Sequence, residues 1–151
     1  MSSHLTRVLA AALEQQIPIS VLFELTNRCN EDCRHCYVDL GDVDGELTRE
    51  EVERVLGELK QAGTLFLTFT GGEIFTRKDT VGLIRKAREL GFALRLFTNG
   101  TLLTPGHVQA IAEAGVLGVE MSLFSMDPSQ HDAITRIAGS QAKTLRAARW
   151  L

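Results

Sequence analysis

Cys29, Cys33 and Cys36 are the only cysteines in the chain, and they fall within eight residues as Cys-x3-Cys-x2-Cys. Thiolate sulfur is a soft ligand that suits zinc and iron–sulfur clusters. A closed structural zinc site takes four protein ligands, so the cysteines fall one short and His35 would have to complete the set. A four-iron cluster takes one thiolate per iron, so these cysteines would leave one iron open to a substrate or cofactor. His35 and Cys36 are adjacent and would point in different directions, which weighs against zinc without removing it.

The elements that must position this loop are legible in hydrophobic periodicity. Residues 5–16 have helical spacing (Leu5, Val8, Leu9, Ala12, Leu13), and Pro18 stops them. Residues 19–25 read as a first strand that runs directly into the cysteines. Residues 38–47, with Asp39, Gly41, Asp42, Asp44 and Gly45, read as a polar connection. Thr48 and Glu51 form a capping box before an inward stripe of Val52, Val55, Leu56 and Leu59, and Gly63 ends that helix. Residues 64–70 read as a second strand, closed by Gly71-Gly72-Glu73. A helix over 79–90 follows, with Arg77 and Lys78 beside Asp79 at its entrance. Residues 92–97 read as a third strand, closed by Thr98-Asn99-Gly100. Thr104 caps the next helix, Pro105 opens it and Gly115 ends it. Residues 116–124 read as a fourth strand with Ser122 near its end. A short helix over 128–135 and another from Ala142 complete the pattern.

Strand–helix alternation of this kind predicts an α/β fold with a parallel sheet and right-handed crossovers. Ligands gather at the carboxyl ends of such strands. The cysteine loop, Gly71–Glu73, Thr98–Gly100 and Ser122 all fall at that rim. The glycines could serve close backbone approach or positive φ, and Glu73 offers a carboxylate to a cation.

Composition narrows the function classes. The chain has 151 residues, 44% hydrophobic and 23% charged, with a formal net charge of −3. That is one domain's length, with no basic footprint for nucleic acid. The longest apolar runs are too short to span a bilayer, and residues 1–17 do not resemble a signal peptide. An odd, clustered cysteine count predicts metal chemistry in a reducing cytoplasm, not disulfides. No phosphate loop and no serine-hydrolase nucleophile elbow is present.

The stretch Glu24-Leu-Thr-Asn-Arg-Cys29-Asn-Glu-Asp-Cys33-Arg-His-Cys36-Tyr37 resembles the cluster loop of the radical S-adenosylmethionine (SAM) enzymes. The order and spacing of the later motifs extend the resemblance over residues 18–151. Gly-Glu-Leu-Thr48 and the stretch from His131 through Leu145 are most similar to the SPASM-type branch that matures peptides and makes pyrroloquinoline quinone. The resemblance implies a partial (β/α) barrel with about four of the usual six units. Residues 1–17 would be a helical extension and 18–151 the core. It implies a [4Fe–4S] cluster on Cys29, Cys33 and Cys36, with SAM on the open iron. Gly71, Gly72 and Glu73 would bind the SAM amino group, although Ile74 stands where proline is common. His35 would sit near the adenine, Asn99 near the cofactor, Ser122 at the ribose, and Arg136 at the SAM carboxylate or ribose. The implied activity is reductive cleavage of SAM to a 5′-deoxyadenosyl radical that abstracts hydrogen from a peptide or protein side chain. A flavodoxin- or ferredoxin-type protein would supply the electron. Strands five and six are missing from this pattern. A truncated chain or split-protein half, an exposed fourth strand and self-association are therefore expected. The alternatives are a non-catalytic cluster- or SAM-binding fragment and the zinc module.

Overall fold

The computed structural model describes residues 4–36 and 45–151. Tyr37 and the part of the polar connection over 38–44 lie outside the described residues. The element order is α1 (His4–Glu14), β1 (Ser20–Glu24), α2 (Arg49–Gln61), β2 (Phe66–Thr70), a 3-10 turn (Ile74–Thr76), α3 (Thr80–Glu89), β3 (Ala93–Thr98), α4 (Pro105–Ala114), β4 (Gly118–Met121), α5 (Pro128–Thr135) and α6 (Ser140–Ala148). The four strands form one sheet in the order β1-β2-β3-β4. Every neighbouring pair is parallel, with Val21 opposite Leu67, Leu67 opposite Leu94 and Leu96 opposite Val119. This is the expected α/β architecture.

Alternation along the strands makes the sheet two-sided. Leu67, Phe69, Leu94 and Leu96 are buried and pack with Val52 and Leu56 of α2 and with Leu83, Ile84 and Ala87 of α3. Each such side chain contributes roughly 1.5–3 kcal/mol by leaving water. The other register carries Leu22, Phe66, Arg95, Phe97 and Glu120, which are exposed, and Arg95 pairs with Glu120 at 2.7 Å.

Local signals hold where they were read. Thr48 accepts from the Glu51 backbone, and the Glu51 side chain accepts from Thr48, which closes the capping box. Thr104 Oγ1 accepts from His107 N, Pro105 opens α4, and Gly115 ends it at φ +69°. Two differences have physical causes. The fourth strand stops at Met121, because the chain then leaves the sheet and Phe124 N donates to Nδ1 of the buried His131 at 3.2 Å. Helix α6 starts at Ser140, earlier than expected. The Asp132 carboxylate caps it from a distance by accepting from Gly139 N at 2.5 Å and Gln141 N at 3.1 Å. At the start of α4, His107 stacks on Phe75 with ring centroids 4.9 Å apart.

Arg77 does more than mark a helix entrance. Its Nε and one terminal nitrogen bind both oxygens of Asp79 at 3.0 and 2.7 Å. Its other terminal nitrogen donates to the carbonyls of Leu25 at 3.1 Å and Leu47 at 2.9 Å. The stem of the cysteine loop is thereby tied to the start of α3. The Arg77 hydrogen bonds hold the Asp79 carboxyl below its ordinary range. A depressed carboxyl stabilises the fold above its unfolded-state pKa and loses that contribution as pH falls through the folded value. Asp79→Asn is therefore expected to flatten the acid side of the stability curve. Urea midpoints between about pH 5 and about pH 2 would check this. Parallel curves for the variant and the parent would refute it.

Candidate functional site

The cysteine loop leaves β1 and is fastened to the ends of every later unit. Leu25 N donates to Thr70 O at 2.8 Å, Gly72 N to Thr26 O at 2.8 Å, and Glu73 N to Arg28 O at 2.7 Å. These bonds require the two backbones to run almost in contact. A Cβ at Gly71 or Gly72 would lie 2.3 Å from the carbonyl oxygen of Thr26 or Arg28, and Gly71 has φ +144°. The glycines thus serve the approach of the loop stem to the end of β2.

From β3, Asn99 Nδ2 donates to Asn30 Oδ1 at 3.0 Å, and Asn30 Nδ2 donates to Thr101 Oγ1 at 2.7 Å. The same Asn99 amide nitrogen approaches Cys29 Sγ at 3.9 Å. From α5, Thr135 O and Ile134 O accept from Asp32 N and Arg34 N at 3.1 and 3.0 Å. Arg136 adds an ion pair to Asp32 at 2.8 Å. Glu46 braces the near side through Arg28 at 2.8 Å and through the Thr26 hydroxyl.

These fastenings frame an open cavity of about 290 Å³. All three cysteines line it, and none forms a disulfide. Gly71, Gly72, Asn99, Ser122 and His35 join them, so the structure brings together most of the expected residues. His35 rests edge-on against Phe124, with centroids 4.7 Å apart at 81°. Thr98 and Glu31 also face the cavity. Thr98 opens the Thr98-Asn99-Gly100 motif at the end of β3. Glu31 lies between two cysteines, and an acidic residue inside a ligand loop was the signal available for it.

Two expected residues sit elsewhere. Arg136 is exposed, is not part of the lining, and is engaged by Asp32. Glu73 is fully buried beneath the wall. Its Oε1 accepts from Phe75 N at 3.0 Å, its Oε2 from Asn99 N at 2.7 Å, and the Thr98 hydroxyl reaches both oxygens at 2.8 Å. The carboxylate therefore holds the end of β3 in place and does not point into the cavity. Burial raises its pKa against the lowering effect of these donors.

The electrostatics of the loop favour protonated thiols in the protein alone. Burial, helped by the Glu31 carboxylate, pushes the Cys33 thiol up to about 12. Burial also raises Cys29. Cations shared among these sulfurs would reverse that penalty. Among the described residues, no three His, Cys, Asp or Glu side chains surround one metal ion. A mononuclear zinc site on Cys29, Cys33, Cys36 and His35 lacks the convergence it needs. A cubane asks only for one thiolate per iron around a common space, and thiols sharing one cavity wall fit that demand.

Comparisons agree with this geometry. Residues 23–151 match the family model of the Radical SAM superfamily. A PqqA peptide cyclase of Rhodopseudomonas palustris is 40% identical over 136 residues, covering 89% of this chain and 36% of the relative. An AdoMet-dependent heme synthase of Nitratidesulfovibrio vulgaris is 30% identical over 155 residues, covering 100% of this chain and 42% of the relative. The chain thus spans well under half the length of these curated relatives. SuiB of Streptococcus suis, solved with S-adenosylmethionine bound, superposes with a TM-score of 0.76 at 19% identity, over 95% of this chain and 33% of that one. No helix among the described residues is long and apolar enough to cross a membrane. A family match over most of the chain, on a cavity walled by the three clustered thiols, means that the chain belongs to the radical SAM superfamily of enzymes, whose cofactors are a [4Fe–4S] cluster and SAM.

Proposed function

We propose that residues 18–151 form a radical SAM core, with residues 1–17 an extension to it, acting on a peptide or protein side chain. When bound, the cluster would supply the electron for reductive cleavage of SAM, the source of hydrogen-atom abstraction from the substrate. Cys29, Cys33 and Cys36 hold the cluster. The Gly71–Gly72 backbone and Thr98 line the cavity that would receive SAM. His35 and Phe124 offer ring edges to the adenine, and the exposed Ser122 offers its hydroxyl to the ribose. Asn99 steadies the loop and donates toward Cys29 Sγ, where an N–H beside a ligating sulfur tunes the cluster. Arg136 anchors the loop through Asp32. Binding and orienting the reacting groups is the protein's share of cofactor chemistry.

The observation that carries this reading is the shared cavity of the three thiols at the carboxyl rim of a parallel sheet. The peptide substrate is supported by the PqqA peptide cyclase similarity. The electron would come from a flavodoxin- or ferredoxin-type donor. The test is electron paramagnetic resonance on anaerobically reconstituted, dithionite-reduced protein, with and without SAM. A four-iron signal that SAM perturbs, followed by release of 5′-deoxyadenosine, is the expected result. Zinc without acid-labile sulfide would overturn the proposal.

A further inference from the structure

Charge is spread unevenly along this chain. Residues 133–151 carry Arg136, Lys143, Arg146 and Arg149 and no Asp or Glu, in a protein whose formal net charge is −3. All four cations are exposed. Arg136 is held by Asp32, whereas Lys143, Arg146 and Arg149 form no ion pair among the described residues. Lys143 and Arg146 are three positions apart and share the outer face of α6. Its inner face is the buried set of Ser140, Gln141, Thr144 and Ala147. Arg146 lies 5.5 Å over the ring of Trp150, which is itself 37% exposed. Helix stability accounts for Arg146 and Arg149, which complement the negative end of the helix. It does not account for Lys143, a cation in the first turn, where the helix dipole disfavours one.

This stripe borders the cysteine loop. Helix α5 binds the loop through Thr135 O and Ile134 O, and Asp132 of the same helix caps α6. Burial raises the Glu31 carboxyl, and Lys143 is the cation whose field opposes the rise, so its charge reaches the loop. The loop adds a cation of its own. Arg34 is exposed, is not part of the cavity lining, and has no ion-pair partner among the described residues. One side of the loop therefore lines the cavity that would take the cluster and SAM. The other side presents Arg34 and the adjoining α6 stripe. A protein that delivers an electron cannot enter a cavity of about 290 Å³, so it must approach the loop from outside.

We propose that Lys143 and Arg146 of α6, extended by Arg149 and Arg34, form the docking surface for an acidic one-electron donor protein. This rests on the reading of the cavity as a cluster and SAM site. Electron-transfer encounters bury little area and depend on opposite charge for fast, oriented collision. A row of unpaired cations beside the cluster loop supplies that field. No bond forms or breaks at docking. One electron leaves the donor, which is oxidised by one unit, and the cluster is reduced by one unit.

The test is rapid mixing of cluster-loaded, oxidised protein with fully reduced flavodoxin of net negative charge at low ionic strength. The paramagnetic signal of the reduced cluster is read in freeze-quenched samples. Reduced methyl viologen, a small cation, is run in parallel. Lys143→Glu with Arg146→Glu is expected to slow reduction by flavodoxin roughly 10- to 100-fold. Reduction by methyl viologen should be as fast as in the parent or faster. Lys143→Gln with Arg146→Gln, which removes charge without reversing it, should slow flavodoxin in the same direction by a smaller factor. At about 1 M salt, where the screening length is about 3 Å, parent and variants should converge. Arg85→Glu, exposed on α3, should keep the parent rate.

An unchanged flavodoxin rate in both double variants would overturn the proposal. So would equal slowing with both reductants, which marks a structural defect, or equal slowing by Arg85→Glu, which marks net charge alone. A parent that methyl viologen reduces and flavodoxin does not would overturn it too. If Lys143 and Arg146 govern sedimentation with phosphatidylserine vesicles while the flavodoxin rate holds, the patch is a membrane contact and the proposal falls. A parent protein that takes up no iron and sulfide is a separate outcome, which would sink the reading of the cavity as well.

Discussion

Gly72→Ala is expected to strip the protein of its capacity to take up iron and sulfide. The added Cβ would lie 2.3 Å from Arg28 O, 2.7 Å from Arg28 C and 3.0 Å from Asn27 O. These are backbone atoms one or two residues before Cys29, so no flexible side chain is there to move aside. The chain must break the Gly72 N to Thr26 O and Glu73 N to Arg28 O bonds or push the loop stem outward. Overpacking of this kind costs roughly 1–3 kcal/mol or more, concentrated where the thiols begin. Gly57 is the control, since a Cβ there meets nothing within 4 Å. Gly57→Ala, inside α2, should gain roughly 0.5–1 kcal/mol and load normally. Iron and acid-labile sulfide after anaerobic reconstitution, with circular dichroism to confirm the fold, would measure both variants. Full iron content in Gly72→Ala would refute the close-approach argument.

Glu73→Ala is expected to lower stability by about 3–5 kcal/mol. It leaves the part-buried donor Phe75 N and the buried donors Asn99 N and the Thr98 hydroxyl unpartnered, each at roughly 1–3 kcal/mol, with partial relaxation offsetting some of the sum. Glu73→Gln is not conservative here. Its NH2 would face one of two backbone N–H groups, donor against donor, so it should lose a substantial part of the same amount. Urea unfolding of the metal-free protein isolates this effect from cofactor binding. A Glu73→Gln variant as stable as the parent would show that the carboxylate is not holding β3. In that case Glu73 would again be the natural candidate for the ammonium of SAM.

What the sequence disclosed depended on how local the cause was. The Thr48–Glu51 capping box and the Thr104–Pro105–Gly115 helix frame are written within a few residues, and they stand as read. The alternation behind β2 and β3 is likewise local. The run over 116–124 looked like one long strand because its later residues are apolar too. What ends it is His131 accepting from Phe124 N, a contact that periodicity does not carry. The start of α6 at Ser140 is hidden from periodicity for the same reason, since its cap comes from Asp132. At the site, the cysteines and glycines announced themselves by type and spacing. The direction of the Glu73 carboxylate did not, because it depends on Thr98 and Asn99 arriving from another strand. Glu31 stayed hidden because a metal motif is read by its ligands, and the residues between them pass as spacers.

The ties from α5 to the cysteine loop bear on when the site can exist during synthesis. Arg136 and Asp32 are 104 positions apart, and the backbone bonds from Asp32 and Arg34 reach Thr135 and Ile134. A ribosome releases the three thiols long before it releases the residues that hold their loop. Contacts this distant along the chain also form late in folding, after local helices. Helical circular dichroism should therefore return during refolding well before the competence to take up iron, as read by delayed addition of iron and sulfide. The two would recover together if the loop were shaped by its own eight residues. The thiols thus wait for residues made about a hundred positions after them.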